Sequence, residues 1–298
     1  MNRVRKRLER AARIGMICFA VIALLFVTAE TSVHRGEAAG KAAGDKAGQQ
    51  SHFAAAAILE ELNPMPMSAA DKPVRKGRAY FEERGDIVWE VPSAGKRIAL
   101  TFDDGPDPKN TPAILNLLKQ YDAKATFFLV GWRLKDNPEL AKRTLREGHE
   151  IGNHSYYHKY FRRGISAAEI EEDMMKAHRL IKKVTGTAPH LYRPPGGYYN
   201  QELVDVARAN DYRIVMWSWH QDTKDWSSPG VQRIVNKVLS SAGNGDIVLM
   251  HDFAEGRSQT VEALKTILPE LKKRGFSIVT VSELMAHRVK GEVNTPRR

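Results

Sequence analysis

The sequence is poor in cysteine and has no long apolar segment. Its 298 residues include a single cysteine, Cys18. One thiol excludes an intramolecular disulfide framework and any zinc site built on several thiolates. No apolar run approaches the repeated spans of a polytopic membrane protein. With 42% hydrophobic and 27% charged residues, the chain has enough apolar surface for a folded domain, which excludes disorder along its whole length.

The net charge is concentrated at one end of the chain. The formal charge of +11 is high enough to suggest a nucleic-acid partner, but the first 13 residues carry six basic side chains and one acidic side chain. Elsewhere, lysines and arginines are interspersed with acids, as on an ordinary solvated surface. We therefore predict no nucleic-acid partner. A modest attraction to an anionic polymer such as a cell wall stays open.

Residues 14–27 form an uncharged, mostly apolar run that directly follows the basic segment. This order is typical of an export signal, and a short uncleaved anchor is the alternative. A buried core helix is less favoured because it gives the basic flank no role. We predict that residues 1–29 are an export signal or short membrane anchor. Either one makes the protein secreted or anchored on the outer face of the cytoplasmic membrane, associated with the cell wall, with membrane contact only through this segment.

The next segment differs in composition from everything after it. Residues 30–75 are rich in Ala, Gly, Lys, Gln and Pro, as in GEAAGKAAGDKAGQQ. Such a composition cannot bury a core, so it predicts a flexible linker. Residues 86–287 are predicted to be the catalytic domain and residues 288–298 a basic tail. We expect the protein to be a monomer.

From residue 86 onward, short apolar runs alternate with helix-length amphipathic runs. Thr111-Pro112 predicts an N-cap followed by proline in the first turn, and Ser166 with Glu169 predicts a capping box. The alternation indicates an α/β fold with about seven parallel strands, either a (β/α) barrel or an open doubly wound sheet. The predicted strands are Ile98–Phe102, Ala125–Leu129, His149–Asn153, Leu191–Arg193, Arg213–Trp217, Ile247–His251 and Ser277–Thr280.

Polar side chains follow five of these strands. In both architectures, chemistry gathers at the carboxyl ends of the parallel strands. The strand bodies are apolar, so surface placement alone does not explain polar groups at five ends. The sequence therefore predicts an active site there, built from Asp103 to Pro106, His154 with His158, Arg193 to Gly196, Asp222 with Asp225 and Trp226, and His251.

Three of these residues are candidate metal ligands. His154 and His158 are four residues apart in HSYYH, and on a helical turn this spacing puts both imidazoles on one face. Asp104 would complete a His, His, Asp set that leaves positions open for water and substrate. Such a set suits Zn, Co, Mn, Ni or Fe. Taken alone, a pair of this kind is more often two surface histidines.

The remaining strand-end groups are candidates for proton transfer and positioning. Asp103 can face the water that a cation activates, although an Asx turn is the plainer interpretation. Arg193, held extended by the following proline, can orient a carboxylate through a bidentate contact or form a surface ion pair. His251 can be a core histidine or, with Asp225 nearby, a protonated general acid. Aromatic side chains near these ends fit either sugar stacking or packing.

The runs TFDDGP (101–106), HSYYH (154–158), RPPGG (193–197), DTKDW (222–226) and LMH (249–251) resemble, in order, the five motifs of one family. This is the polysaccharide deacetylase or NodB-homology family, also called carbohydrate esterase family 4. The match covers about residues 86–287. The resemblance implies a distorted (β/α) barrel and metal-dependent hydrolysis of N-acetyl groups on β-1,4-linked amino sugars.

The resemblance also implies a role for each matching residue. Asp103 is similar to the catalytic base, and Arg193 to the residue that orients it. His251 is similar to the general acid, with Asp225 as its partner. The implied ligands of one divalent metal, with zinc favoured, are Asp104, His154 and His158. The implied pocket for the acetyl methyl is lined by Leu249 and Trp226.

One position departs from the family pattern. The family usually has a bulky aromatic residue where Gly196 stands, with a backbone N–H that helps to bind the oxyanion. Glycine keeps the N–H but removes a wall of the groove, which Tyr198 or Tyr199 would have to replace. The glycan is therefore open. Export favours peptidoglycan, at N-acetylglucosamine or N-acetylmuramic acid, and the alternative is a chitin-oligosaccharide deacetylase.

Overall fold

The computed structural model describes residues 77–161, 164–253 and 258–289. The predicted export signal or anchor (1–29), the linker (30–75) and most of the basic tail (288–298) lie outside the described residues. Within the described ranges, no helix is both long enough and apolar enough to cross a bilayer. Nearly all of the predicted catalytic domain lies within them.

The described chain contains one sheet in which every strand pairing is parallel. Its strands are β1 (Ile87–Val88), β2 (Arg97–Asp103), β3 (Ala125–Leu129), β4 (Glu150–Asn153), β5 (Leu191–Tyr192), β6 (Arg213–Val215), β7 (Asp246–His251) and β8 (Ser277–Ile278). The order is β1-β6-β5-β4-β3-β2-β7, and β8 pairs with the start of β2. The sheet curls into a distorted (β/α) barrel, which confirms the predicted fold.

All seven predicted strands are present, several of them shorter than predicted. The additional strand, β1, was missed. It has only two residues, so no alternation of apolar and polar side chains marks it in the sequence. Its pairing with β6 through Ile87↔Ile214 and Val88↔Val215 makes it a strand, and this pairing is a tertiary contact.

Most of the helices lie in the connections between successive strands, as parallel pairing requires. They are α1 (Arg78–Glu83), α2 (Asn110–Gln120), α3 (Gly131–Asp136), α4 (Pro138–Arg146), α5 (Ala167–Thr185), α6 (Gln201–Ala209), α7 (Val231–Leu239), α8 (Thr260–Lys273) and α9 (Val281–Met285). Short 3-10 turns at Pro195–Gly197, Trp219–Gln221 and Asp225–Ser227 follow β5 and β6.

One of the two predicted helix starts is confirmed and the other is wrong. Ser166 and Glu169 form a complete capping box at the start of α5. Thr111, however, lies inside α2, which begins at Asn110 and has no side-chain cap. The Thr111 hydroxyl instead donates to Asp252 and accepts from the backbone N–H of Asp107, so tertiary contacts use the group that an N-cap would need.

The main apolar core packs around the strands whose carboxyl ends carry the predicted site residues. Strands β2, β3 and β7 are buried along nearly their whole length. Phe102 of β2 and Phe127 of β3 stack with their ring centroids 5.0 Å apart, and apolar faces of α2, α7 and α8 pack on the same cluster. Each buried side chain of this size stabilises the fold by roughly 1.5–3 kcal/mol.

The edge strands β1 and β7 meet at a seam that closes the barrel. Just beyond β1, Glu90 forms an antiparallel bridge with Asp246, the first residue of β7. The backbone N–H of Val91 donates to the carbonyl of Gly245 at 2.8 Å. A Cβ on Gly245 would lie 1.7 Å from the Val91 carbonyl oxygen, so the seam requires glycine at this position.

A buried histidine at the start of β4 makes the fold sensitive to acid. Burial, with a smaller contribution from the charge of Lys124, lowers the pKa of His149 to about 4. Because the folded-state pKa lies below the unfolded value, the stabilisation is complete above about pH 6.5 and is lost as the pH falls toward 4. We expect the free energy of unfolding to fall by about 2 kcal/mol from this group between pH 7 and pH 5.

The substitution His149→Asn tests this effect. Asparagine can still accept the hydrogen bond from the backbone N–H of Ala125, but it does not titrate. Urea unfolding at pH 7 and pH 5 is expected to show a smaller loss of stability in the variant than in the native chain. His190→Asn, at an exposed position, is the matched control. Equal losses in the native chain and His149→Asn would contradict the assignment.

Candidate active site and metal centre

A pocket of about 620 Å³ opens at the carboxyl ends of the strands. Two of the predicted site residues, Arg193 and Asp225, lie buried behind its wall. The structure brings the other predicted residues together around this pocket: Asp103, Asp104, His154, His158, Gly196, Tyr198, Trp226, Leu249 and His251. Residues separated by up to about half of the chain therefore converge, as parallel strand ends allow.

The three predicted metal ligands point at one another. Oδ1 of Asp104 lies 2.9 Å from Nε2 of His158 and 3.4 Å from Nε2 of His154. Two ligand atoms about 2.0–2.2 Å from one zinc ion are about 2.9–3.5 Å apart when the angle between them is between right and tetrahedral. Although Oδ1 is buried, it makes no hydrogen bond of acceptable geometry. A divalent cation would satisfy this oxygen, so the residues fit a metal site.

The tautomer of His154 is also correct for ligation. Its Nδ1 lies 2.7 Å from the carbonyl oxygen of Arg193. Because a carbonyl can only accept a hydrogen bond, Nδ1 carries the proton. Nε2 is therefore left with a lone pair, which faces Asp104. Such a backbone partner fixes the orientation of a ligating imidazole.

The two histidines do not lie on a helical turn, contrary to the prediction. Residues 154–158 form a loop in which Ser155 and His158 adopt left-handed backbone conformations, with φ of 66° and 56°. Asn153 accepts from the N–H of Ser155, and Asp173 of α5 accepts from two further N–H groups of the loop. These hydrogen bonds bring the imidazole centroids to 5.1 Å from each other.

Asp103 is buried beside the metal ligands and held by Arg193. Nη1 of Arg193 donates to Oδ1 of Asp103 and to Oγ1 of Thr101, both at 2.8 Å. Its other nitrogens donate to the carbonyls of Val215 and Met216. The contact with Asp103 is therefore single, not bidentate as predicted, because these carbonyls at the end of β6 and just beyond it use the rest of the guanidinium. Oδ2 of Asp103 lies 3.8 Å from Nε2 of His154.

His251 and Asp225 form a largely buried pair at the end of β7. Nδ1 of His251 lies 2.7 Å from Oδ1 of Asp225, whose Oδ2 accepts from the backbone N–H of His251 and from Oγ1 of Thr260. Burial opposes the charged imidazole, but the hydrogen bond and charge of Asp225 outweigh it and raise the pKa of His251 to about 9. His251 is therefore protonated at neutral pH.

Comparison with known proteins gives the family. The polysaccharide deacetylase family model matches residues 90–215. A peptidoglycan-N-acetylglucosamine deacetylase of Bacillus cereus is 51% identical over 211 residues, which cover 71% of this chain and 98% of the relative. The chain belongs to the polysaccharide deacetylase family. It is accordingly a metal-dependent hydrolase that removes N-acetyl groups from a glycan.

Two further proteins are similar to this deacetylase. A chitooligosaccharide deacetylase of a Bradyrhizobium species is 37% identical over 64% of this chain and 92% of its own length. The crystal structure of Bc1960, a peptidoglycan N-acetylglucosamine deacetylase, covers 72% of this chain and 99% of its own with 34% identity and a TM-score of 0.67. Both the fold and the family expected from the motifs are confirmed.

Two tyrosine side chains, Tyr160 and Tyr198, occupy the space beside Gly196 in this deacetylase. Gly196 has a φ of 65°, and a Cβ there would lie 2.8 Å from the ring of Tyr160 and 3.0 Å from that of Tyr198. The two tyrosine rings meet edge to face, with centroids 5.7 Å apart. Tyr199 instead packs against Trp89 in the core. Of the two predicted substitutes, Tyr198 is placed in the pocket and Tyr199 is not.

Sequence reasoning missed three of the residues that line the pocket of this deacetylase, namely Tyr160, Arg133 and Phe253. The Arg133 guanidinium stacks over the ring of Phe253. Tyr160 lies two residues beyond His158, and Phe253 lies two residues beyond His251. Arg133 follows β3, and no candidate was assigned to the end of that strand. The rule that all parallel strand ends meet at one rim was the signal that could have found them.

Asp252 is a further residue that the sequence did not point to. It is fully buried, and burial raises its pKa to about 7. Its carboxyl group accepts from Oγ1 of Thr111 at 2.5 Å and packs against Gly105, where a Cβ would lie 2.1 Å from Oδ2. This close approach requires glycine and holds the turn that follows Asp104.

Proposed function

We propose that this deacetylase removes N-acetyl groups from peptidoglycan, with N-acetylglucosamine as the target sugar and one zinc ion in the active site. The observation that carries the proposal is the cluster of Asp104, His154 and His158 in one pocket with buried Asp103 and protonated His251. The substrate is proposed from the peptidoglycan deacetylase that is 51% identical to this chain over 98% of its own length.

Asp104, His154 and His158 would hold the divalent cation. Such a cation supplies Lewis-acid polarisation of the acetamide carbonyl and of the attacking water. The chain contributes the open side of this ligand set, which faces the pocket and leaves room for the acetamide group. The hydrogen bond from Nδ1 of His154 to the carbonyl of Arg193 keeps the Nε2 lone pair directed at Asp104.

Asp103 acts as the general base. It lies at the end of β2 next to Asp104, and its carboxylate takes the proton of the attacking water. The single hydrogen bond from Arg193 to Oδ1 holds the carboxylate in place and leaves Oδ2 for this proton transfer. Arg193 is therefore a positioning residue that acts through Asp103.

His251 acts as the general acid. Its proton passes to the amine nitrogen as the C–N bond of the acetamide breaks, so that acetate and a free amino sugar are the products. Asp225 keeps the imidazole charged and oriented before the reaction. The backbone N–H of Gly196 stabilises the oxyanion, and Leu249, Trp226 and Tyr198 surround the acetyl methyl and the sugar.

The location follows from the same proposal. Peptidoglycan lies outside the cytoplasmic membrane, which agrees with export directed by the basic and apolar residues 1–29. The protein is secreted or anchored on the outer face of the membrane, contacts the membrane through this segment alone and acts as a monomer. Fractionation of cells is expected to recover the protein in the culture medium, in the cell wall or on the outer face of the cytoplasmic membrane. Recovery in the cytoplasm would contradict this.

Acetate release from two substrates tests the glycan. The full chain, loaded with Zn²⁺, is expected to release acetate from peptidoglycan faster than from chitooligosaccharides at equal concentrations of N-acetyl groups. Asp103→Asn is the control for acetate that does not come from this site. Faster release from chitooligosaccharides would favour the alternative substrate, for which the Bradyrhizobium relative is a precedent. Release from neither would reject the proposal.

Tyr160 is expected to contribute to binding of the sugar chain. Tyr160→Ala removes an aromatic face that is worth about 0.5–1.5 kcal/mol in stacking, so kcat/KM on the polymer should fall about 3- to 10-fold, mainly through KM. Bound zinc should not change. Tyr157→Ala, an exposed tyrosine of the same loop that does not line the pocket, is the control. An unchanged KM in Tyr160→Ala would contradict this role.

A further inference from the structure

A second group of metal-ligating side chains lies apart from the catalytic pocket. Glu90, His220 and Asp246 each offer one ligand atom, and these atoms lie within 4.8 Å of one another. The residues that line the catalytic pocket do not include any of them. Nothing in the proposed reaction uses them, so their assembly calls for another explanation.

The group sits on the seam that closes the barrel. Glu90 follows β1, Asp246 begins β7, and the backbones of the two residues form an antiparallel bridge. His220 lies on the 3-10 turn Trp219–Gln221 that follows β6 and packs on β7. Three separate parts of the chain therefore meet where the two edge strands of the sheet approach each other.

The group is buried and only partly satisfied. Glu90 and Asp246 are 3% and 0% exposed. Oδ2 of Asp246 accepts from the backbone N–H of Gly243, from Nε2 of His220 and from Nε2 of Gln221, at 2.7, 2.9 and 3.2 Å. Oδ1 of Asp246 and Nδ1 of His220 are buried without a hydrogen-bond partner. Buried polar atoms in this state destabilise the fold unless a ligand satisfies them.

The carboxylates at the seam outnumber the permanent positive charges paired with them, which favours a bound cation. Arg78 is shared between two buried carboxylates, with Nε 2.7 Å from Glu82 and Nη2 3.2 Å from Glu90. Asp246 has the imidazole of His220 as its ionic partner, and this ring is charged only when it is protonated. A divalent ion would neutralise the neighbouring carboxylates without requiring that proton.

The distances suit metal ligation. Nε2 of His220 donates a hydrogen bond to Oδ2 of Asp246 at 2.9 Å, which is also about the separation of two adjacent ligands at right angles around a zinc ion, so a bound cation would replace the proton between them. One ring nitrogen with two carboxylates is a donor set for Zn²⁺, Mn²⁺ or Fe²⁺. We propose that Glu90, His220 and Asp246 form a second divalent-cation site, which joins β1, β7 and the turn after β6 and stabilises the closed barrel.

Counting bound ions tests the proposal. The full chain is stripped with a chelator and dialysed to equilibrium against about 10 μM free Zn²⁺, far above the dissociation constant of an ordinary structural zinc site. Bound zinc per chain is measured by mass spectrometry of the metal. The native chain is expected to bind two ions, and Glu90→Gln and His154→Ala are expected to bind one each. The variant that combines these two substitutions is expected to bind none.

The controls separate this site from the active site and from general effects on folding. Glu82→Gln removes a buried carboxylate that also contacts Arg78 but is not a proposed ligand, and it should still bind two ions. His220→Asn is the second variant if Glu90→Gln does not fold. Glu90→Gln should retain acetate release within about twofold, because the site is not part of the reaction.

Thermal unfolding gives an independent readout. In His154→Ala, which lacks an active-site ligand, added Zn²⁺ should still raise the unfolding temperature, because the ion binds the folded state alone. In the variant that combines His154→Ala with Glu90→Gln, the rise should disappear. One bound ion in the native chain, or two in Glu90→Gln, would overturn the proposal whatever the enzyme does to peptidoglycan.

Discussion

Replacing Asp103 with asparagine is expected to reduce acetate release by at least about a hundredfold while bound zinc stays at the native level. Asparagine has the shape of aspartate, so the hydrogen bond from Arg193 and the position of β2 are preserved. It cannot take up the proton of the attacking water. The loss should therefore appear in kcat, with little change in KM, in a continuous acetate assay on peptidoglycan.

Asp222→Asn is the matched control for this effect. Asp222 is a second carboxylate that lines the same pocket, but it contacts neither the metal ligands nor Arg193 in the hydrogen bonds of the described chain. Its replacement changes the charge of the pocket by the same amount and should leave most of kcat. If Asp103→Asn kept more than about a tenth of native activity, Asp103 would not be the general base.

Replacing His154 with alanine is expected to abolish both metal binding at the active site and turnover. Two ligands cannot hold the cation as three do, and its transition-state stabilisation of several kcal/mol corresponds to a factor of about a thousand or more in rate. Zinc content and acetate release should fall together in this variant. By contrast, Asp103→Asn should lose activity alone, so the pair of variants separates ligand from base.

His190→Ala provides the control for His154→Ala, since His190 is exposed and is not among the residues that line the pocket. It should keep native zinc content and native activity. A His154→Ala variant that retained its zinc, or that lost zinc but kept its rate, would show that the three-residue cluster is not the catalytic metal site.

The sequence predicted those parts of the site that depend on strand ends. Asp103 and His251 end β2 and β7, and parallel pairing of these strands places the two residues at one register level. This geometry follows from the alternation of strands and helices alone, since a parallel sheet has one carboxyl edge. The capping box at Ser166 was predictable for a similar reason, because its hydrogen bonds are local.

Features that depend on tertiary contacts were not predictable. Thr111 looks like an N-cap until Asp252, far along the chain, takes its hydroxyl. The HSYYH segment has helical spacing, but its backbone N–H groups donate hydrogen bonds to Asn153 and Asp173, which hold it as a loop. Tyr160 fills the space beside Gly196 only because that loop crosses the pocket. In each case, a partner distant in sequence overrides the local pattern.

The assignment of Asp103 as the general base and His251 as the general acid rests on the groups that contact each of them. Asp103 faces a guanidinium, and His251 faces a buried carboxylate that raises its pKa to about 9. The pocket thus holds a carboxylate paired with a guanidinium and a charged imidazole, which end the neighbouring strands β2 and β7. This arrangement suits amide hydrolysis, in which a proton must leave the water and another must reach the amine.

Acetate release by the metal-stripped and reloaded chain is the most direct test of this account. After removal of metal by a chelator, the full chain should release no measurable acetate from peptidoglycan, and addition of Zn²⁺ should restore release in the native chain but not in His154→Ala. Acetate release that continues unchanged after the metal is removed would contradict the assignment of Asp104, His154 and His158 as the catalytic metal site.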